Sequence, residues 1–208
     1  MKLFSFDNPF MVGLRKLTDH ILLGILWVLA SVPVVTFGAA TTAMFYTAEK
    51  AIVQDEGRML PTFLKAFRKD FRQATVLWLL QLLILAVMAV DARVVAVVEI
   101  PRYLQIILTA ASIFVLGWLQ FWFGYLSKFE DSNKVLLRNT LRMTVADFLK
   151  AFFLSVLAVA ALASIYVLLL WMPPLVGLVP GMYQMLAGKI YRSLFRRYTA
   201  QEPAISEG

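Results

Sequence analysis

The sequence predicts an all-α protein, a polytopic transmembrane helix bundle of six or five spans with an amphipathic helix at the membrane surface. Three features predict it: an apolar composition, long intervals without charge, and an uneven distribution of basic residues. Of the 208 residues, 61% are hydrophobic and 16% are charged, whereas soluble domains average about 45–50% and about 25%. This composition leaves too little polar surface to cover a water-soluble globule. It therefore argues against a soluble enzyme or a disordered chain.

The net charge of +7 has a topological explanation. Membrane proteins concentrate Lys and Arg in cytoplasmic loops, beside anionic lipid. We therefore expect the lipid bilayer, and no nucleic acid, as the partner of these charges. The chain has no cysteine and one histidine, His20, so thiolate and paired-histidine metal sites are excluded. We expect no metal and no cofactor, and we interpret His20 as a polar anchor rather than a proton relay.

Four intervals without a charged residue locate the spans: 21–48, 73–90, 103–127 and 151–188. A membrane-spanning helix needs about 20 residues, so the second and third intervals are one helix each. The fourth has 38 residues, and the Pro173-Pro174 pair must divide it because proline cannot continue a helix. The predicted spans from these three intervals are 73–91, 102–127, 149–171 and 174–195.

The first interval allows two arrangements. It contains Pro33 and then Thr36-Phe37-Gly38, so it is either one kinked helix, giving five spans, or a hairpin with spans 15–33 and 36–50, giving six. Six spans with both termini in the cytoplasm place 18 of the 20 basic residues on that side. Five spans would move the three basic residues of segment 1–20 outside the cell. We predict six spans, and in both arrangements the C-terminus is cytoplasmic.

The segment 59–72 has helical amphipathic spacing. Its apolar residues lie on one side and its cations largely between them: Leu60, Phe63, Leu64, Phe67 and Phe71, with Lys65, Arg68, Lys69 and Arg72. The pattern predicts a helix lying on the membrane, with phenylalanines in the acyl boundary and cations on the headgroups. The alternative is a cytoplasmic extension of the next span that packs on its neighbours. Residues 134–150 show a weaker version of the pattern.

The sequence offers no catalytic constellation. It lacks a phosphate-binding Walker loop, a nucleophile elbow and a dinucleotide fingerprint. The charged residues of the predicted spans lie only near the span ends, outside the four charge-free intervals, which argues against ion-coupled transport. We therefore predict a protein that is not an enzyme, without catalytic residues. Gln81 and Gln120 are candidate intramembrane polar contacts, since a primary amide facing lipid would be unpaired. Gly177 and Gly181 have a spacing typical of close helix packing.

The stretch 26–46, LWVLASVPVVTFGAATTAMFY, resembles the YesL-like family of uncharacterised bacterial integral membrane proteins. The resemblance rests on a Leu-Trp run, a proline break and a small-residue helix that ends near a tyrosine. It defines a candidate functional hairpin: Trp27, Pro33, Thr36, Gly38, Ala39, Ala40 and Tyr46. In the family an asparagine often precedes the Leu-Trp run, whereas this chain has Gly24.

The resemblance implies a multi-pass protein of the bacterial plasma membrane with no defined catalytic residue. It further implies a role accessory to a carbohydrate ABC-type uptake system, with ABC transporter permease subunits as partners, although a homo-oligomer is also compatible with the sequence. The alternative function is a carrier or channel for a small neutral solute. In that case the broken hairpin around Pro33 is its gate or site, because broken helices expose backbone groups to substrate.

Overall fold

A computed structural model describes residues 9–98 and 100–201, and within them regular structure is helical, with no strand. This confirms the all-α class. Seven α-helices follow one another along the chain: α1 (Pro9–Ser31), α2 (Phe37–Thr47), α3 (Met59–Val97), α4 (Arg102–Leu126), α5 (Asn133–Ala146), α6 (Phe148–Trp171) and α7 (Leu178–Gln201). Short helical turns occupy Val34–Thr36, Ala48–Val53 and Pro173–Leu175, and the second of these has π-helical bonding.

The chain reverses direction between α1 and α2. Pro33 has an extended backbone, with φ −76° and ψ 116°, and the single turn Val34–Thr36 follows it. The Thr36 hydroxyl lies 2.6 Å from two carbonyl oxygens, those of Ala30 and Pro33, and can donate to either. Trp27 and Thr41, on opposite arms, are joined by a 3.0 Å hydrogen bond. The first interval is thus a hairpin rather than one kinked helix.

The helix α3 differs from the prediction. It runs without interruption for 39 residues, from Met59 to Val97, so 59–72 is not a separate surface helix. Phe63, expected in the acyl boundary, is only 2% exposed and packs in a cluster with Ala43 and Ile52. The small residues of α2 leave room for this ring. The segment 59–72 is therefore an extension of α3 that packs on its neighbours, as the alternative interpretation of its sequence expected.

The count of six spans is not confirmed. Among the described helices, α3, α4 and α6 are long and apolar enough to cross a membrane. The regular part of α2 has 11 residues, about 16 Å of helix, against about 30 Å of hydrocarbon. The hairpin turn meets α3 at Trp78, whose indole nitrogen donates to the Val34 carbonyl. From Trp78 to Val97, α3 continues for about another 28 Å.

The core surrounds α2. All residues in 38–45 are buried, and α2 packs along the first half of α3. The helices α1 and α7 cross at glycines. A Cβ on Gly24 would lie 2.1 Å from the Gly177 carbonyl oxygen, and a Cβ on Gly181 would lie 2.1 Å from the His20 carbonyl oxygen. The Gly177/Gly181 spacing therefore serves packing within the chain.

The ion pairs lie at one end of the bundle. Arg15 pairs with Asp55 at 3.1 Å, which brings the start of α1 to the loop before α3. Lys69 pairs with Glu130, and Arg197 lies 3.4 Å from Asp147. These contacts bring the segments 50–72, 128–150 and the last turns of α7 to the same end, as the distribution of basic residues predicted.

Candidate functional site

A cavity of about 330 Å³ lies where the hairpin meets α3, α4, α6 and α7. Three of the residues singled out from the sequence line it: Trp27, Gln81 and Gln120. No lining residue carries a charge. The fold thus brings the candidate hairpin and both candidate intramembrane amides to one place.

Aromatic rings form the wall on the hairpin side. Phe37 stacks on Trp78 with ring centroids 4.3 Å apart, and it meets Trp27 edge-on at 5.1 Å. Both indole N–H groups are already used, since Trp27 donates to the Thr41 hydroxyl at 3.0 Å and Trp78 donates to the Val34 carbonyl at 2.7 Å. The Trp78 bond fixes the hairpin turn against α3, and the Trp27 bond joins the two arms of the hairpin. They also leave the rings themselves, rather than their N–H groups, to contact a ligand.

The two amides differ in how they are satisfied. The Tyr183 hydroxyl donates to Gln120 Oε1 at 3.3 Å. In contrast, Gln81 Oε1 is buried and accepts no hydrogen bond in the described part of the chain. An unsatisfied buried acceptor costs about 1–3 kcal/mol. The cavity therefore has one polar group that a bound donor would satisfy.

The other hairpin residues shape the turn and its packing. Pro33 and Thr36 form the reversal, and Gly38 lets α2 approach α3, because a Cβ there would lie 2.6 Å from the Ala74 carbonyl oxygen. Ala39 and Ala40 are 1% and 0% exposed. They fill the core and do not line the cavity.

Tyr46 lies elsewhere, on a second cavity of about 230 Å³ at the ion-pair end. Phe45 lines both cavities. Its ring lies 5.0 Å from that of Tyr191 and 6.4 Å from that of Tyr183, centroid to centroid. An aromatic layer thus stands between the two cavities. The candidate hairpin contributes to both of them.

Charged groups line this second cavity. Arg192 Nη1 lies 3.2 Å from Glu49 Oε2. The ammonium of Lys50 lies 2.9 Å from Glu56, and this hydrogen bond, together with the Glu56 charge, raises the pKa of the Lys50 amine above its usual value. Sequence reasoning missed this site because it treated such residues only as topological charges. Glu49 and Arg192 are 143 positions apart, and no local pattern pairs them.

Sequence reasoning also missed Phe37, Trp78 and Tyr183. Each is an aromatic residue in a chain rich in them, and its part in the cavity depends on helix packing. In the ranges 9–98 and 100–201, no three His, Cys, Asp or Glu side chains gather as a metal site would require.

The comparison with known families matches this same region. Residues 21–92 match the family model described as "Protein of unknown function, DUF624". No curated protein and no solved structure matches the chain. The matched segment contains most of α1, all of α2 and α3 as far as residue 92, which is the hairpin together with the helix that holds it. The YesL-like proteins are the DUF624 family, so the resemblance is confirmed: residues 21–92 carry the signature of DUF624.

Proposed function

We propose that this protein is a non-enzymatic, multi-pass protein of the bacterial plasma membrane that binds a small neutral solute beside the hairpin, as a carrier or channel would. The observation that carries the proposal is the unsatisfied Gln81 oxygen on a cavity whose lining is mostly apolar. Among the described residues, six buried side-chain polar atoms lack a hydrogen-bond partner, and of these the Gln81 oxygen is the one whose residue lines this cavity. A bound molecule that supplies the donor accounts for it.

The lining of the cavity defines the class of solute. Because the cavity lacks charge, an ion would lose its hydration without compensation. A sugar has hydroxyl groups on every side, and most of them would lie against rings and aliphatic chains without a partner. The walls instead favour an uncharged, mainly apolar molecule with one or two hydrogen-bonding groups. The donor would reach Gln81, and the apolar part would lie between Trp27 and Trp78.

The topology that supports this binding site is a re-entrant hairpin. The α1–α2 turn ends beside Trp78, halfway along α3, so we propose that the pair enters and leaves the membrane by one face. The end with the ion pairs collects the basic segments, and the usual excess of Lys and Arg on cytoplasmic loops supports a cytoplasmic location for this end. Both termini are then cytoplasmic, as in the six-span arrangement. Irregular backbone at depth is tolerated where protein covers it.

Native mass spectrometry of the full chain, extracted from its own membranes in mild detergent, tests this proposal. The wild-type protein should retain a small molecule. Ala161→Trp fills the cavity and should release it, whereas Ala163→Trp, on an exposed position of the same helix, should not. A wild-type protein without any bound molecule, or equal retention by both variants, contradicts the proposal. Flux of the identified molecule into proteoliposomes then distinguishes a carrier or channel from a binding protein.

An accessory role in carbohydrate uptake is the second candidate. The observation that favours it is the exposure of the three long apolar helices, whose most apolar stretches are only 17%, 28% and 11% buried in α3, α4 and α6. Such faces are available to other transmembrane helices, either ABC transporter permease subunits or a second copy of this chain. Affinity purification from native membranes tests it. Recovery of a permease supports the role, and recovery of the protein alone counts against it.

A further inference from the structure

The second cavity, at the ion-pair end, plays no part in the function proposed above. Three cationic residues and one carboxylate line it: Lys50, Lys128, Arg192 and Glu49. The lining therefore has two more positive charges than negative ones, and one more when Glu56, the partner of Lys50, is included. An excess of cations around a concave site attracts anions.

Two of these cations are free to bind a ligand. Glu49 contacts Arg192 through Nη1, and a guanidinium has five N–H donors, so others remain. The Lys128 ammonium lies 5.6 Å from the centroid of the Phe195 ring, and it forms no ion pair with a described carboxylate. Lys50, by contrast, is already paired with Glu56. Arg192 and Lys128 are therefore the groups that an anion would contact.

A buried amide gives an independent indication of a ligand. Gln184 lines the cavity and is 3% exposed, yet its side chain has no hydrogen bond within the described residues. Gly188, one turn later, keeps the space open, because a Cβ there would lie 3.2 Å from Gln184 Nε2 and 3.6 Å from Arg192 Nη1. The amide and the guanidinium thus lie side by side on one wall. Glu49 and Lys50, which also line the cavity, belong to the π-helical turn Ala48–Val53, a feature frequent at functional sites.

We propose that this cavity binds a phosphate group. The planar guanidinium of Arg192 suits two phosphate oxygens at once, the Lys128 ammonium adds a second charge, and the Gln184 amide donates to a remaining oxygen. Glu49 holds Arg192 in place while the site is empty. Either a phospholipid headgroup or a free phosphate can present this chemistry.

Calorimetric titration of the detergent-solubilised full chain tests the proposal in two arms. One arm adds inorganic phosphate, and the other adds short-chain phosphatidylglycerol, with diacylglycerol as the lipid that lacks phosphate. Arg192→Gln and Lys128→Gln should each weaken binding about tenfold or more, since each removes a charge-assisted hydrogen bond. Arg196→Gln removes the same charge from an exposed position of α7 that does not line the cavity. It should bind as the wild type does.

The two arms separate the sources of the phosphate. Saturable binding of inorganic phosphate that depends on Lys128 supports a free-anion site, and binding confined to phosphatidylglycerol supports a headgroup site. Lys128→Gln leaves the Arg192–Glu49 pair intact, so it keeps the test valid if Arg192→Gln does not fold. Two results overturn the proposal: no saturable binding in either arm, or an equal loss of affinity in Arg196→Gln.

Discussion

The two ends of this bundle are stabilised in different ways. At one end, α2 is enclosed by α1, α3 and α7, and every residue of 38–45 is buried. At the other end, none of the residues 79–97, 102–116 or 156–171 is buried. The packed end is held by contacts within the chain. The apolar end must obtain its contacts from lipid or from other transmembrane helices, since its exposed side chains are hydrophobic.

The largest effect should come from disturbing the glycine crossing of α1 and α7. Gly181→Leu places a side chain where the His20 carbonyl already lies, and because overpacking between helices forces them apart, we expect little monodisperse protein. Fluorescence-detected size exclusion in detergent measures this. Gly13→Leu is the control, because a Cβ on Gly13 meets nothing within 4 Å. Equal behaviour of the two variants would show that the crossing is not needed.

The next effect compares two phenylalanines on α3. Phe63 is 2% exposed and Phe71 is 38% exposed, although the same amphipathic pattern contains both. Phe63→Ala should reduce the free energy of unfolding by about 3–5 kcal/mol, the usual cost of emptying a buried aromatic site. Phe71→Ala should cost much less. Unfolding by SDS in mixed micelles provides the measurement. Similar losses of unfolding free energy in both variants would favour the original prediction that 59–72 lies on the membrane surface.

A smaller effect is expected where the two ends meet. Trp78→Phe keeps an aromatic ring beside Phe37 and removes the hydrogen bond to the Val34 carbonyl, at a cost of about 1 kcal/mol. Amide hydrogen exchange should then accelerate in the hairpin turn, while exchange in α7 stays unchanged. Trp118→Phe, which loses a bond to Thr140 instead, is the matched control. If the hairpin turn exchanges as fast in Trp118→Phe as in Trp78→Phe, the Trp78 bond does not fix the hairpin.

The sequence predicts what local chemistry decides. Pro33 and the Pro173-Pro174 pair end helices because of their own backbone restrictions, so both breaks and the α6 bounds were predictable. The depth of the hairpin could not be predicted, because it depends on the contact between Val34 and Trp78, which are 44 positions apart. The surroundings of Phe63 also depend on contacts with a distant part of the chain. Periodicity alone therefore could not show whether this ring faces lipid or packs on α2. Gln81 and Gln120 were identified by the cost of an unpaired amide, but only the fold places them on one cavity.

The smallest effect concerns the ion pairs, and it tests whether charge holds the packed end. The hydrogen bond from Lys69, together with its charge, lowers the pKa of the Glu130 carboxyl below 4.5. A lowered folded-state pKa stabilises the fold above pH 4.5, and this stabilisation is lost as the pH falls through the lower, folded value. Both partners are exposed, at 48% and 79%, so water and salt weaken the pair. Melting temperatures of wild type and Glu130→Gln should differ slightly at pH 7 and converge once the pH is low enough to protonate Glu130 in the folded protein. A large difference at pH 7 would mean that charge, rather than the packing around α2, stabilises this end.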